Sequence, residues 1–234
     1  MMSRLSMVAG LVLGCTVLSG AASAQIFTAM SLGNGVSGNQ QYGSTLGTDF
    51  VVNQSIFVTS LGAFDEAGHT LNGTISTTIY NNATQLAVPG LSAQFTAASP
   101  GTLEGSYLFK TVGGQSGVTL SPGSYVVTWT SLTNNDREGN SGVGGFTSPL
   151  FNNGTGNPIT INTTQSRFNE QIPAAFGQDK YPVGTFGGVL DAGSFKFSKT
   201  PLVAATPEPG TLSLFAGLGV MGGSALLRRR RLRK

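Results

Sequence analysis

Leu120–Ser131 reads LSPGSYVVTWTS. Its second half alternates at the two-residue period of a strand, with Tyr125, Val127 and Trp129 on one face and Val126, Thr128 and Thr130 on the other. Ser121-Pro122-Gly123 suits a type II turn, because Pro fixes φ at the second position and Gly permits positive φ at the third. The turn is expected to open the strand. Trp129 is the only tryptophan. An indole alternating with Tyr and Val is expected in a core, so the aromatic face is read as the inward one and sugar stacking by Trp129 as the minor alternative.

Working outward, similar runs recur about every ten residues. Phe50-Val51-Val52, Ile56-Phe57-Val58-Thr59 and Thr74–Tyr80 precede it. In Thr74–Tyr80, Ile75, Thr77 and Ile79 face one way and Ser76, Thr78 and Tyr80 the other. Leu91–Thr96, Ser106–Thr111, Ile159–Phe168 and Ser194–Ser198 complete the set, bounded by Gly, Pro or Asn. No helical period of useful length interrupts them. The pattern predicts an all-β fold, an antiparallel β-sandwich, jelly-roll-like or immunoglobulin-like, over residues 46–200. Residues 25–45, polar and glycine-rich, are expected to form a flexible lead-in. Asn134–Asn157, rich in Gly and Asn, is expected as a surface insertion or mobile loop.

The chain has 234 residues, a formal charge of +3 and a pI of about 9.2, but the basic excess is concentrated at the C-terminal end. Between residues 25 and 205 six basic side chains stand against nine acidic ones, a net −3. Nucleic acid is therefore excluded as the expected partner. Cys15 is the only cysteine and precedes that span, so its stability is expected to come from burial rather than disulfides.

Both ends read as targeting segments. Residues 1–24 have the form of a signal peptide: Arg4 in the charged region, Leu5–Leu18 apolar, and Ala22-Ser23-Ala24 as a small-residue cleavage site before Gln25. Val12-Leu13-Gly14-Cys15 offers a competing lipidation site at Cys15. At the other end, Thr206–Lys234 reads TPEPGTLSLFAGLGVMGGSALLRRRRLRK. Residues 201–210 form a Pro-rich linker carrying Pro207-Glu208-Pro209, and residues 211–227 are uncharged. As a helix they would reach about 25 Å, close to a hydrocarbon core of about 30 Å, with snorkelling arginines covering the difference. Arg228, Arg229, Arg230 and Arg231 begin a basic tail, residues 228–234, that predicts a cytoplasmic C-terminus. Gly219 and Gly223 also have the spacing of a helix-dimerisation face.

The order Pro207-Glu208-Pro209, Gly- and Leu-rich span, arginine run resembles the PEP-CTERM sorting signal of Gram-negative bacteria. The resemblance implies processing by an exosortase, a membrane enzyme, near the Pro-Glu-Pro. It further implies an inner-membrane-anchored precursor and delivery to the cell surface or exopolysaccharide matrix. A permanent C-terminal anchor behind a Pro-rich linker is the alternative. A second resemblance rests on residues 47–52 (GTDFVV), 56–65 (IFVTSLGAFD) and 120–126 (LSPGSYV), which are similar to an exported bacterial β-sandwich domain of unknown function. It implies architecture and no activity.

The search for chemistry is short. His69 is the only histidine, and Gly-x-Ser-x-Gly, P-loop and dinucleotide motifs are absent, so hydrolase, zincin and nucleotide chemistry are not expected. Two acidic clusters, Asp65 with Glu66 and Asp136 with Glu138 and Asn140, have the oxygen ligands of a Ca²⁺ loop without matching an EF-hand, and adjacent acids in a Gly-rich loop ordinarily face water. The same acids could serve a glycosidase, which needs two carboxyls about 5–10 Å apart. Asn53, Asn72, Asn82, Asn153 and Asn162 begin glycosylation sequons, which composition alone explains. The leading expectation is a non-enzymatic surface or matrix protein without a cofactor. A carbohydrate-binding module using Tyr42, Tyr107 or Tyr181 is the alternative, and a matrix-sugar hydrolase the third.

Overall fold

The computed structural model describes residues 24–202, apart from 67–70, 115, 134–135, 143–145 and 170–178. The signal-peptide, sorting-tail and membrane-span assignments, and His69, therefore lie outside the described residues. Among those residues there is no helix, and every strand pairing is antiparallel.

Two six-stranded sheets face each other in a sandwich-like arrangement. The first orders β1 (Ile26–Thr28), β17 (Gly193–Ser198), β5 (Ile56–Phe64), β9 (Tyr107–Thr111) and β8 (Thr102–Glu104), with β10 (Val118–Leu120) also on β5. The second orders β15 (Gly184–Gly187), β14 (Ile159–Phe168), β4 (Thr45–Val52), β11 (Gly123–Ser131), β6 (Ile75–Asn81) and β7 (Ala87–Phe95). Two small ladders flank them: β16 (Leu190–Asp191), β12 (Arg137–Asn140) and β3 (Gln40–Gln41), and β13 (Leu150–Phe151) with β2 (Met30–Ser31).

The alternation along β11 sends Tyr125, Val127 and Trp129 between the sheets, as expected. There Phe50 of β4 meets Tyr125 at 5.7 Å and Phe195 of β17 at 4.7 Å, and Phe195 meets Phe197 at 5.8 Å. Burying each such ring contributes about 1.5–3 kcal/mol, so this aromatic chain is a main source of cohesion in a domain without a described disulfide. Beyond it, Trp129, Leu46, Ile75, Phe95 and Leu108 form a second cluster. β17 passes close to β11: a Cβ on Gly193 would lie 2.6 Å from the Thr128 carbonyl oxygen.

Three expectations are corrected. Residues 25–45 are not a free lead-in, because Phe27, Ala29, Met30 and Leu32 are buried and β1 completes the edge of the first sheet. The apolar residues there are few but spaced for a strand, and Gly and Ser masked the signal. Gly123 has no positive φ; instead of ending a type II turn it is the first residue of β11, opposite Val52. The Asn134–Asn157 stretch contains β12 and β13, and Glu138 within it is fully buried.

If β1 is integral, Phe27→Ala removes a ring packed 5.4 Å from Phe197. It is expected to cost about 3 kcal/mol in urea unfolding. An unchanged midpoint would mean that the segment contributes little.

Candidate functional site

Away from the core, the second sheet carries a ladder of hydroxyls. Register places Val126 between Asp49 and Tyr80, Thr128 between Gly47 and Thr78, and Thr130 between Thr45 and Ser76. Such groups are tolerable under cover only if each finds a partner. Asp179 supplies it. One of its oxygens accepts from Ser76 Oγ at 2.7 Å and Thr78 Oγ1 at 2.6 Å, the other from the Tyr80 hydroxyl at 2.9 Å and Thr130 Oγ1 at 3.2 Å. Thr45 and Thr130 share a further hydroxyl contact at 2.9 Å. Burial, followed by the charge of Asp179, pushes the Tyr80 phenol up, so it remains a donor.

Beside this ladder is a half-buried polar patch. Arg167 Nε lies 2.7 and 2.8 Å from the two Asp49 oxygens, and Asn82 Nδ2 donates to Asp49 at 2.9 Å. The Arg167 guanidinium stands 5.5 Å over the Tyr181 ring, whose edge-to-face partner is Tyr80 at 6.0 Å. The Tyr181 hydroxyl donates to Asn82 Oδ1 at 3.3 Å. An aromatic ring beside an ionised pair and an amide has the chemistry to meet a polyhydroxylated ligand.

The residues singled out from sequence are dispersed. Tyr107 is fully buried, packing edge-on to Phe64 at 6.0 Å, so it is not a sugar-stacking platform. Tyr42 is half-buried and donates its hydroxyl to the Asn169 carbonyl at 2.5 Å. Only Tyr181 of the three tyrosines reaches the polar patch. Asp65 and Glu66 follow β5 and are half-buried, with the Asp65 amide donating to Ser106 O at 2.9 Å. Among the described residues no three His, Cys, Asp or Glu side chains converge to hold a metal. Of Asp136, Glu138 and Asn140, Asp136 accepts from the Asn72 amide at 2.8 Å and Asn140 from the Gly142 amide at 2.8 Å. On the first sheet, a groove of about 400 Å³ runs past Thr28, Ser60, Thr111 and the Lys196–Glu104 ion pair.

Glu138 has a different neighbour, Asp191. Both are fully buried, and none of their four carboxyl oxygens has a hydrogen-bond partner; the buried Tyr107 hydroxyl, whose titration feels both charges, also lacks one. Backbone pairing of β12 with β16 sets Asp191 opposite Gly139, the residue next to Glu138, and Asp191 lies within electrostatic reach of the Glu138 carboxyl. Burial pushes the Glu138 carboxyl up to about 8, and burial with the charge of Glu138 pushes Asp191 up to about 8. Sequence reasoning missed Asp191 and Asp179. Asp191 carried a usable signal, as a single acid within the apolar Val189-Leu190-Asp191-Ala192. Asp179, in a polar run, carried none.

No family model, curated protein or solved structure matches the chain.

The buried acids imply a pH dependence. With folded pKa values near 8 and unfolded values near 4, the native state keeps protons that the unfolded chain has released. Their contribution is therefore complete below about pH 4 and is lost as pH rises through about 8. In metal-free buffer, the wild type is expected to lose a few kcal/mol more than Glu138→Gln/Asp191→Asn between pH 5 and pH 9 in urea titrations. Parallel profiles would show that these carboxyls do not titrate abnormally.

Proposed function

We propose that the chain is a non-enzymatic, exported protein of the cell surface or extracellular matrix, directed out by residues 1–24 and sorted through residues 206–234 by an exosortase. The observation that carries this reading is the order Pro207-Glu208-Pro209, uncharged span, Arg228–Arg231. Its membrane span is residues 211–227, with the basic end in the cytoplasm. The register at the chain ends supports it. Ile26 is the Cα partner of Ser198, so a cut after Ala24 leaves β1 whole, and a cut near Pro207 leaves β17 whole. Strands that pass repeatedly from one sheet to the other support a jelly-roll-like or immunoglobulin-like type within the sandwich. The non-enzymatic part is supported by carboxylates that are either saturated, as Asp179 is, or enclosed, as Glu138 and Asp191 are.

Intact mass of the protein from the surface and medium of its native host tests this. The expected chain starts at Gln25 and ends near Pro207–Pro209, and in a strain lacking the exosortase it still carries Arg228–Lys234. A basic tail retained in both strains would make it a permanent anchor and remove the sorting reading.

One observation favours a second reading, binding of exopolysaccharide. Tyr181, Arg167, Asp49 and Asn82 form a half-buried aromatic and polar patch on a sheet face. Stacking on a planar ring and hydrogen bonds to hydroxyls are how such a patch would hold a sugar. Saturable binding of the host's own polysaccharide is then expected to weaken about tenfold or more in Tyr181→Ala, the loss of roughly 1.4 kcal/mol or more. Equal binding by the variant, with its fold intact by circular dichroism, would remove this reading.

A further inference from the structure

We propose that Glu138 and Asp191 are the anionic ligands of a buried Ca²⁺ site built where β12 meets β16. The proposal stands apart from the export reading and concerns residues that reading does not use.

The physical problem is that two acids are enclosed together with nothing to answer them. Both residues are 0% exposed, and all four carboxyl oxygens lack a hydrogen-bond donor. No lysine or arginine among the described residues bridges to either. A buried carboxylate left in that condition is strongly destabilising, so natural cores pair it, protonate it or give it a metal. Protonation removes the charge but not the difficulty. A proton on either acid answers at most one pair of oxygens and leaves the others without a donor. A divalent cation between the carboxylates answers both charges and satisfies several oxygens at once.

A second observation points to the same spot. The Tyr107 hydroxyl is 0% exposed, has no partner, and lies within the electrostatic reach of both Asp191 and Glu138. It comes from β9 of the first sheet, independently of the acidic residues, and its ring is fixed by Phe64 at 6.0 Å and Phe109 at 6.1 Å. Three buried, unpartnered polar side chains from three strands thus lie within electrostatic reach of one another. Their atoms are all oxygen, which suits a hard cation rather than zinc or copper. Ca²⁺ fits better than Mg²⁺, because it accepts irregular sets of six to eight oxygens, whereas Mg²⁺ holds its water octahedron. Two carboxylates do not fill that shell; main-chain carbonyls or trapped water would complete it. Because the acids are enclosed, the ion enters as the domain closes and leaves slowly.

The test uses the full-length chain in detergent, refolded in CaCl₂ or in EDTA. Metal analysis after dialysis is expected to give one tightly held Ca²⁺ per chain. At a hundredfold excess over Kd the melting temperature should rise by about 5–10 °C. Tb³⁺ in place of Ca²⁺ should show emission sensitised by tyrosine excitation, displaced by Ca²⁺. All three effects are expected to disappear in Glu138→Gln/Asp191→Asn and to survive in Asp65→Asn/Glu66→Gln. If the double variant does not fold, Asp191→Asn alone should lower Ca²⁺ affinity at least tenfold. A wild-type protein that refolds equally well in EDTA and retains no metal would overturn the proposal. So would a Ca²⁺ effect of the same size in the Glu138 and Asp191 variants.

Discussion

The outer face of the second sheet depends on one carboxylate. β11 has cover on both sides, and the side away from the core presents Thr128 and Thr130, continued by Ser76, Thr78 and Tyr80 on β6. A buried hydroxyl without a partner costs about 1–3 kcal/mol, so five of them would undo much of a domain's net stability. Thr128 solves its own case by donating to the Thr78 carbonyl at 3.0 Å. Asp179 solves the other four, at 2.6 to 3.2 Å. Hydrogen bonds to an ionised acceptor are about twice as strong as neutral ones, which offsets the desolvation of the carboxylate. The same contact draws residues 179–182 against the sheet, and Tyr181 is thereby placed between Tyr80 and Arg167.

The contrast with Glu138 and Asp191 is instructive, because the side-chain chemistry is nearly the same. Asp179 has four donors within hydrogen-bond reach and keeps an edge toward solvent. Glu138 and Asp191 have no donors and no solvent, and Asp191 also feels the charge of Glu138. Their partners make the first a structural clasp and leave the other two without a hydrogen bond.

What the sequence disclosed follows from the range of the interactions involved. Strand alternation is local, so β6 and β11 could be read from Ile75, Thr77 and Ile79 and from Tyr125, Val127 and Trp129 without knowing any neighbour. The inward direction of the aromatic face followed as well. The covering of the opposite face could not be read, because Asp179 is separated by 103 positions from Ser76 and by 49 from Thr130. Tyr107 was mistaken for a surface aromatic for the same reason: its burial is imposed by Phe64 and Phe109, and by β12 and β16 arriving from far along the chain. Short strands in Gly- and Asn-rich sequence, β3 and β12 among them, are held by main-chain pairing and leave little trace in side-chain pattern.

The first sheet adds a constraint on when the domain completes. β17 lies between β1 and β5, so the last of the described strands is interior to the sheet and the first of them pairs only with it. Neither β1 nor the aromatic contacts of Phe27, Phe195 and Phe197 form until residues 193–198 have emerged. Pairing across the full length of the chain is among the slower events in folding, and it leaves strand edges exposed meanwhile. In an exported chain, a C-terminal anchor that follows β17 would retain the unfinished domain at the membrane over that interval. Cleavage near Pro207 afterwards would release a sheet whose final strand is already enclosed. The proposed order of events, export, closure and then cutting, is thus the one that the strand order makes least hazardous.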